Sequence, residues 1–154
     1  MVMMRTKFPK GKVTKQTIGN IGLFYVCYKL SLFGWNVMPT SRNTKGVDII
    51  IFSQDATKKI SIQVKTLSKS DPVPLGTSLD SFVADYVVIC VLHGTEEYIC
   101  YVMTPDEVKK LAHKGEKKGR VSYWLQRKEY EKDEYKNNWR RIGHGVQLGK
   151  HVVT

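Results

Sequence analysis

Two short apolar runs joined by a polar turn limit what this chain can become. Gly46-Val47-Asp48-Ile49-Ile50-Ile51-Phe52 leads into Ser53-Gln54-Asp55-Ala56-Thr57-Lys58, and Lys59-Ile60-Ser61-Ile62-Gln63-Val64-Lys65-Thr66 follows. Both runs are rich in β-branched side chains and bounded by polar residues, which predicts two strands closed as a hairpin. Side chains on a strand alternate faces. Ile60, Ile62 and Val64 therefore share one side of the second strand, while Gln63 and Lys65 share the other. Asp48 opens the first strand within reach of that polar face. A carboxylate, an amide carbonyl and an ammonium on one sheet surface are the parts of a hard-cation site. Oxygen ligands suit Mg²⁺, and a neighbouring lysine can help deprotonate a water or neutralise a phosphate.

Around this hairpin the chain alternates helical and strand patterns. In residues 16–33, Ile18, Ile21, Phe24, Tyr25, Tyr28 and Leu32 recur at spacings of three and four, which predicts a helix with a wide apolar surface. Thr17 is the expected N-cap and Gly34 the stop. Tyr25 and Tyr28 are expected in the core. Residues 35–40 read as a strand, followed by a basic loop over 41–46. Residues 67–81, with Pro72, Pro74 and Gly76, read as a loop. Residues 84–92 form a nearly continuous apolar run, expected as a central strand covered on both faces, and residues 97–103 as its return. Thr104-Pro105-Asp106-Glu107 carries an N-cap, Pro at N1 and a capping-box Glu, so a helix opens there and runs to about His113. Residues 114–120 form a basic cluster, either a solvated loop or a second phosphate contact. Residues 121–125 read as a short strand, and Trp139 is expected to fold back on the core.

Charge narrows the partner. Residues 1–47 contain eight Lys/Arg and no acid, whereas the remainder carries 17 Lys/Arg against 14 acids. Most of the net charge of +11 therefore sits in the first third. Such asymmetry favours a polyanion, nucleic acid first. Lys12, Lys15, Arg42, Lys45 and Lys69 are the candidate phosphate contacts. Cys27, Cys90 and Cys100 lie inside apolar stretches and read as reduced core residues of a cytoplasmic protein. No apolar run reaches membrane-spanning length, so no membrane partner is expected. The expected organisation is a basic arm over 1–15, an α/β domain over 16–142 and a weakly ordered tail over 143–154.

The order helix, strand, loop, strand with Asp, turn, strand with Gln-x-Lys resembles the PD-(D/E)xK nuclease superfamily, over about residues 14–93. The Asp is Asp48, preceded by Val47 where Pro is usual. The signature is Gln63-Val64-Lys65, separated from Asp48 by 14 residues. The resemblance implies a restriction-endonuclease-like fold: a mixed central sheet flanked by helices. It also implies metal-dependent hydrolysis of phosphodiester bonds in nucleic acid, DNA more than RNA. Asp48, the Gln63 side-chain carbonyl and the Val64 backbone carbonyl would bind Mg²⁺ (or Mn²⁺), and Lys65 would position the water and offset phosphate charge. Many members carry a Glu on the first helix within a Gly-Glu-x-Gly-Glu-like opening. Here that stretch is Gly19-Asn20-Ile21-Gly22-Leu23, and the helix holds no acid. Asn20 is the candidate for the missing role.

Two rival functions fit the same residues. One is a catalytically silent nucleic-acid-binding module on the same fold; the missing helix acid favours it, and the retained Asp48 and Lys65 oppose it. The other is a protein–protein adaptor with an incidental basic arm. Small nucleases of this type often pair to cut both strands, and the wide apolar helix permits a homodimer.

Overall fold

The computed structural model describes residues 13–41, 45–92 and 98–147. The chain opens with α1 (Lys15–Leu32), then β1 (Asn36–Pro39), β2 (Ile49–Phe52) and β3 (Lys59–Leu67). After β4 (Val73–Gly76) come β5 (Tyr86–Val91), β6 (Ile99–Met103) and α2 (Pro105–Leu111). The chain continues as β7 (His113–Lys117), β8 (Arg120–Leu125), α3 (Arg127–Tyr130) and a 3₁₀ turn at Trp139–Arg141. Among the described residues no helix is long and apolar enough to cross a membrane.

Five strands form a mixed sheet in the order β1-β2-β3-β5-β6. The hairpin β2–β3 pairs Ile49 with Ile62 and Phe52 with Lys59. Strand β3 then runs parallel to β5, with Gln63 beside Val87 and Lys65 beside Ile89. Asp55 closes the turn by accepting from the Ser53 hydroxyl at 2.7 Å and from the Thr57 backbone at 3.1 Å. Those bonds hold its carboxyl down at a pKa of about 2.

The sheet separates two cores. On one face Ile49, Ile51, Ile62 and Val88 pack with Val26 and Leu30 of α1, closed by Trp35 and Trp139. On the other Val87, Ile89, Val91 and Met103 pack with Phe82, Val108, Leu125 and Tyr130. Burying each such aliphatic side chain contributes roughly 1.5–3 kcal/mol. Because β5 contributes to both cores, it is buried on both sides, as its unbroken apolar run requires.

The second face is covered by a layer that the residue patterns do not announce. Strand β4 lies within the stretch expected as loop and pairs with β8, which pairs with β7. Pro72 and Pro74 hide it in sequence, and an edge position is where a strand tolerates proline. Val73 and Leu75 point into the core and Pro74 is exposed. Other boundaries shift by a turn. The N-cap of α1 is Thr14, whose hydroxyl accepts from Thr17 N–H at 3.1 Å, rather than Thr17 itself. His113 opens β7 and does not end α2, whereas the Thr104–Glu107 capping box is present with both bonds. Residues 1–12, which hold most of the basic arm, lie outside the described residues. The first residues of the expected tail are docked: Gly145 N–H donates to Phe33 O at 3.0 Å and its carbonyl accepts from Gln54 N–H at 2.8 Å.

Helix α1 packs on β3 at one close crossing. A Cβ on Gly22 would stand 1.9 Å from Thr66 Oγ1 and 2.8 Å from Thr66 Cβ. Gly22→Ala is therefore expected to destabilise the domain by about 1–3 kcal/mol through overpacking, despite the better helix propensity of Ala. Chemical denaturation of Gly22→Ala, Thr66→Gly and the double variant checks this. The double variant should lose less than the sum of the two single losses.

Candidate active site

The hydrogen-bond ladder between β2 and β3 ends at Asp48, and the polar cluster forms where it ends. Asp48 N–H donates to Ile62 O at 2.9 Å as the last backbone rung. One residue pair further on, a side chain takes the place of β2: Asp48 Oδ2 accepts from Val64 N–H at 2.7 Å. The main chain of β2 has turned away because Gly46 adopts a φ of +72°, a left-handed conformation open to glycine. A Cβ there would also stand 2.2 Å from Ser81 O, so the turn is pressed against the segment leading to Phe82.

Peptide groups of β3 alternate between its two neighbours. Ser61 and Leu67 offer their carbonyls to Asp85 and Leu92 on the β5 side, while Ile62 and Val64 face β2. By that alternation the Val64 carbonyl points to the β2 side beyond Asp48, where the ladder has ended. Gln63 and Lys65 lie on the face away from α1. Gln63 is 8% exposed, and its Oε1 is buried with no hydrogen-bond partner among the described residues. Leaving such a group unsatisfied costs about 1–3 kcal/mol. Lys65 is half-buried, with Nζ 5.7 Å from the centre of the buried Phe82 ring. Burial pushes its pKa below the ordinary lysine value, and attraction to Asp48 partly offsets the shift.

The three oxygens of Asp48, Gln63 and Val64 fit a hard divalent cation. They are a carboxylate, an amide carbonyl and a peptide carbonyl, the donor types Mg²⁺ takes, and the orphaned Gln63 Oε1 has the polarity such an ion would satisfy. The residues reach this edge from three places: Asp48 before β2, Gln63 and Lys65 from β3, and Phe82 from the segment before β5. A concave surface of about 430 Å³ between the Ser53–Lys58 turn and His144 lies at the opposite end of the hairpin.

The other candidates are placed less uniformly. Asn20 is exposed on α1, which packs on the opposite face through Gly22, Val26 and Leu30; it makes no hydrogen bond to Asp48, Gln63 or Lys65 among the described residues. Lys45 is exposed in the turn before Asp48. Lys69 is exposed just beyond β3 and pairs with Asp71 at 3.6 Å. Lys15 is exposed at the start of α1. Lys12 and Arg42 lie outside the described residues. Asp85 has a structural role: its Oδ2 accepts from Ser61 N–H at 2.8 Å at the far end of β3. Phe82 was missed, because nothing in a single sequence ties a loop aromatic to a lysine 17 residues earlier.

Solved structures share this architecture. A bacterial homing endonuclease superposes with a TM-score of 0.55, covering 85% of this chain and 92% of its own, at 15% identity. The Holliday junction resolvase Hjc of the archaeal hyperthermophile Archaeoglobus fulgidus gives a TM-score of 0.50, covering 73% of this chain and 86% of its own, at 14% identity. No family model and no curated protein matches the chain. The chain has the expected restriction-endonuclease-like fold, and at these identities the likeness is one of fold alone.

Lys65 makes a pH prediction with a definite sign. Its folded pKa lies below the unfolded one, so holding it charged opposes folding at neutral pH. That penalty fades as pH rises through the folded value toward the unfolded value. Lys65→Met should therefore melt no lower than wild type near pH 7, and its advantage should shrink in alkaline buffer. Thermal melts of both proteins from neutral pH to about pH 10, spanning the lysine range, check it.

Proposed function

We propose that this chain is a divalent-metal-dependent nuclease that hydrolyses phosphodiester bonds in DNA. The observation that carries the proposal is the buried Gln63 Oε1, without a hydrogen-bond partner among the described residues, beside the Asp48–Val64 junction, with Lys65 on the same face. Asp48, Gln63 and the Val64 carbonyl would hold Mg²⁺ (or Mn²⁺). The ion would polarise the scissile phosphate and acidify a water. Lys65, its pKa lowered by burial, can take a proton from that water at Nζ or, as the ammonium, offset charge building on the phosphate oxygens. Phe82 limits where Nζ can swing. Lys45 and Lys69 flank the edge and would contact phosphates on either side, with Lys12, Lys15 and Arg42 extending the basic path. Asn20, on the helix of the opposite face, would orient a water only where the substrate itself reaches α1. Three free cysteines, two of them buried, suit a reducing, cytoplasmic setting.

Cutting both strands of a duplex calls for two sites. Phe24, Tyr28 and Leu32 recur at four-residue steps on α1 and are 58–63% exposed, although Tyr28 was expected in the core. This stripe is the surface on which a second copy would pack.

One observation favours a silent binding module. Among the described residues no three His, Cys, Asp or Glu side chains group to hold a metal, and Asp48 is the sole carboxylate of the site. Substrate phosphates and waters must then complete the ion's shell.

Cleavage of supercoiled plasmid in Mg²⁺ or Mn²⁺, with EDTA controls, separates the two functions. Wild type should cut only with metal. Lys65→Ala should lose about 10²-fold or more in rate, the scale of a positioned proton-transfer group, while still binding DNA. Asp48→Asn should stop cutting yet keep an acceptor for Val64 N–H. Absent cutting by wild type, with DNA binding intact, would establish the silent module, and metal-independent cutting would overturn the metal-dependent mechanism.

A further inference from the structure

The hairpin β7–β8 carries a cationic face that the catalytic edge does not use. Its two-residue turn, Lys118-Gly119, has φ values of 51° and 74°, the tight geometry of a regular hairpin, and Lys117 pairs with Arg120 across it. Register sorts the side chains cleanly. Val121, Tyr123 and Leu125 face the core, with Leu125 fully buried opposite Val73. Lys117, Arg120, Ser122, Trp124 and His113 share the outer face. Glu116 pairs with Val121, so the hairpin's acid falls on the other side.

The outer face is built flat. Gly115 lies opposite Ser122, and a Cβ there would stand 2.9 Å from Trp124 Cζ3, so the indole lies across the bare backbone of β7. His113 stacks on Trp124 with ring centres 5.9 Å apart at 18°. Lys117, Lys118 and Arg120 are exposed and line an open depression with Ser122. Among the described residues none of the three makes an ion pair, whereas Arg127 and Arg141 are each paired with a glutamate. Three unpaired cations beside an aromatic platform suit a polyanion. The ribbon also springs from the layer on the Lys65 side of the main sheet, sharing its core with Phe82.

We propose that the β7–β8 ribbon is a second DNA-binding element, whose outer face grips the backbone of duplex DNA through Lys117, Lys118 and Arg120. A two-stranded ribbon has the width the major groove admits, and the Trp124 indole, lying across Gly115, forms the floor against which the sugar-phosphate chain lies. This rests on the nuclease reading only in taking DNA as the partner.

The test is the salt dependence of binding to a short labelled DNA duplex in Ca²⁺. Wild type is compared with Lys117→Gln/Lys118→Gln/Arg120→Gln and with a charge-matched control, Lys109→Gln/Lys110→Gln/Lys128→Gln, at exposed positions off the ribbon. All three proteins should melt alike. The ribbon variant should bind about tenfold or more weakly, with a log–log salt slope shallower by about 3, one for each phosphate no longer neutralised. The control should shift the slope by less than about one unit on the same scale. Equal weakening of both variants, or an unchanged slope in the ribbon variant, would overturn the ribbon's role. No salt-sensitive binding by wild type would overturn the DNA reading itself, and with it the ribbon.

Discussion

The hydrogen bond from Val64 N–H to Asp48 Oδ2 is the interaction on which the candidate site depends. It does two jobs in one geometry. It satisfies a donor that the departing strand leaves behind, which an interior backbone group requires. It also fixes the Asp48 carboxylate at the edge where Gln63 and Lys65 emerge. Gly46 makes the departure possible, and Ser81 O, closing on Gly46, joins the turn to the segment carrying Phe82. A strand that ends by substituting its own side chain for its backbone thus brings the candidate residues to one edge without breaking the sheet.

The division of the sheet into two faces explains how a costly site can be carried. On the α1 side, packing is apolar and tight enough that Gly22 meets Thr66 directly. On the other side Gln63 and Lys65 interrupt an otherwise apolar surface, with one oxygen unpartnered among the described residues and one ammonium half-buried. Local rules are broken here and kept elsewhere, as expected of a functional site. The second core, capped by β4 and β8, supplies the compensating burial and at the same time raises the β7–β8 ribbon on the site's side of the molecule.

Much of this was legible in the residues. Alternation on β3 put Gln63 and Lys65 on one face, and the spacing from Asp48 suited the hairpin that formed. The capping box at Thr104 and the doubly buried β5 carry signals that depend on few neighbours. The three-stranded layer was not legible. Val73–Gly76 reads as loop because Pro72, Pro74 and Gly76 outweigh the two apolar residues Val73 and Leu75, and β7 is made of His, Lys, Gly and Glu, with Lys, Gly and Glu low in strand preference. Both become strands only because β8 lies between them, a tertiary fact. The exposure of Phe24, Tyr28 and Leu32 was equally hidden, since periodicity shows that a helix has an apolar face and not how much of it one sheet can cover.

Anomalous diffraction from crystals of the protein bound to a DNA duplex in Mn²⁺ would test the central claim most directly. The account expects a Mn²⁺ peak about 2.0–2.3 Å from Asp48 Oδ1, Gln63 Oε1 and the Val64 carbonyl, at hard-cation ligand distances, with a phosphate oxygen completing the shell. A complex with DNA seated along this edge and no metal among those three oxygens would contradict it.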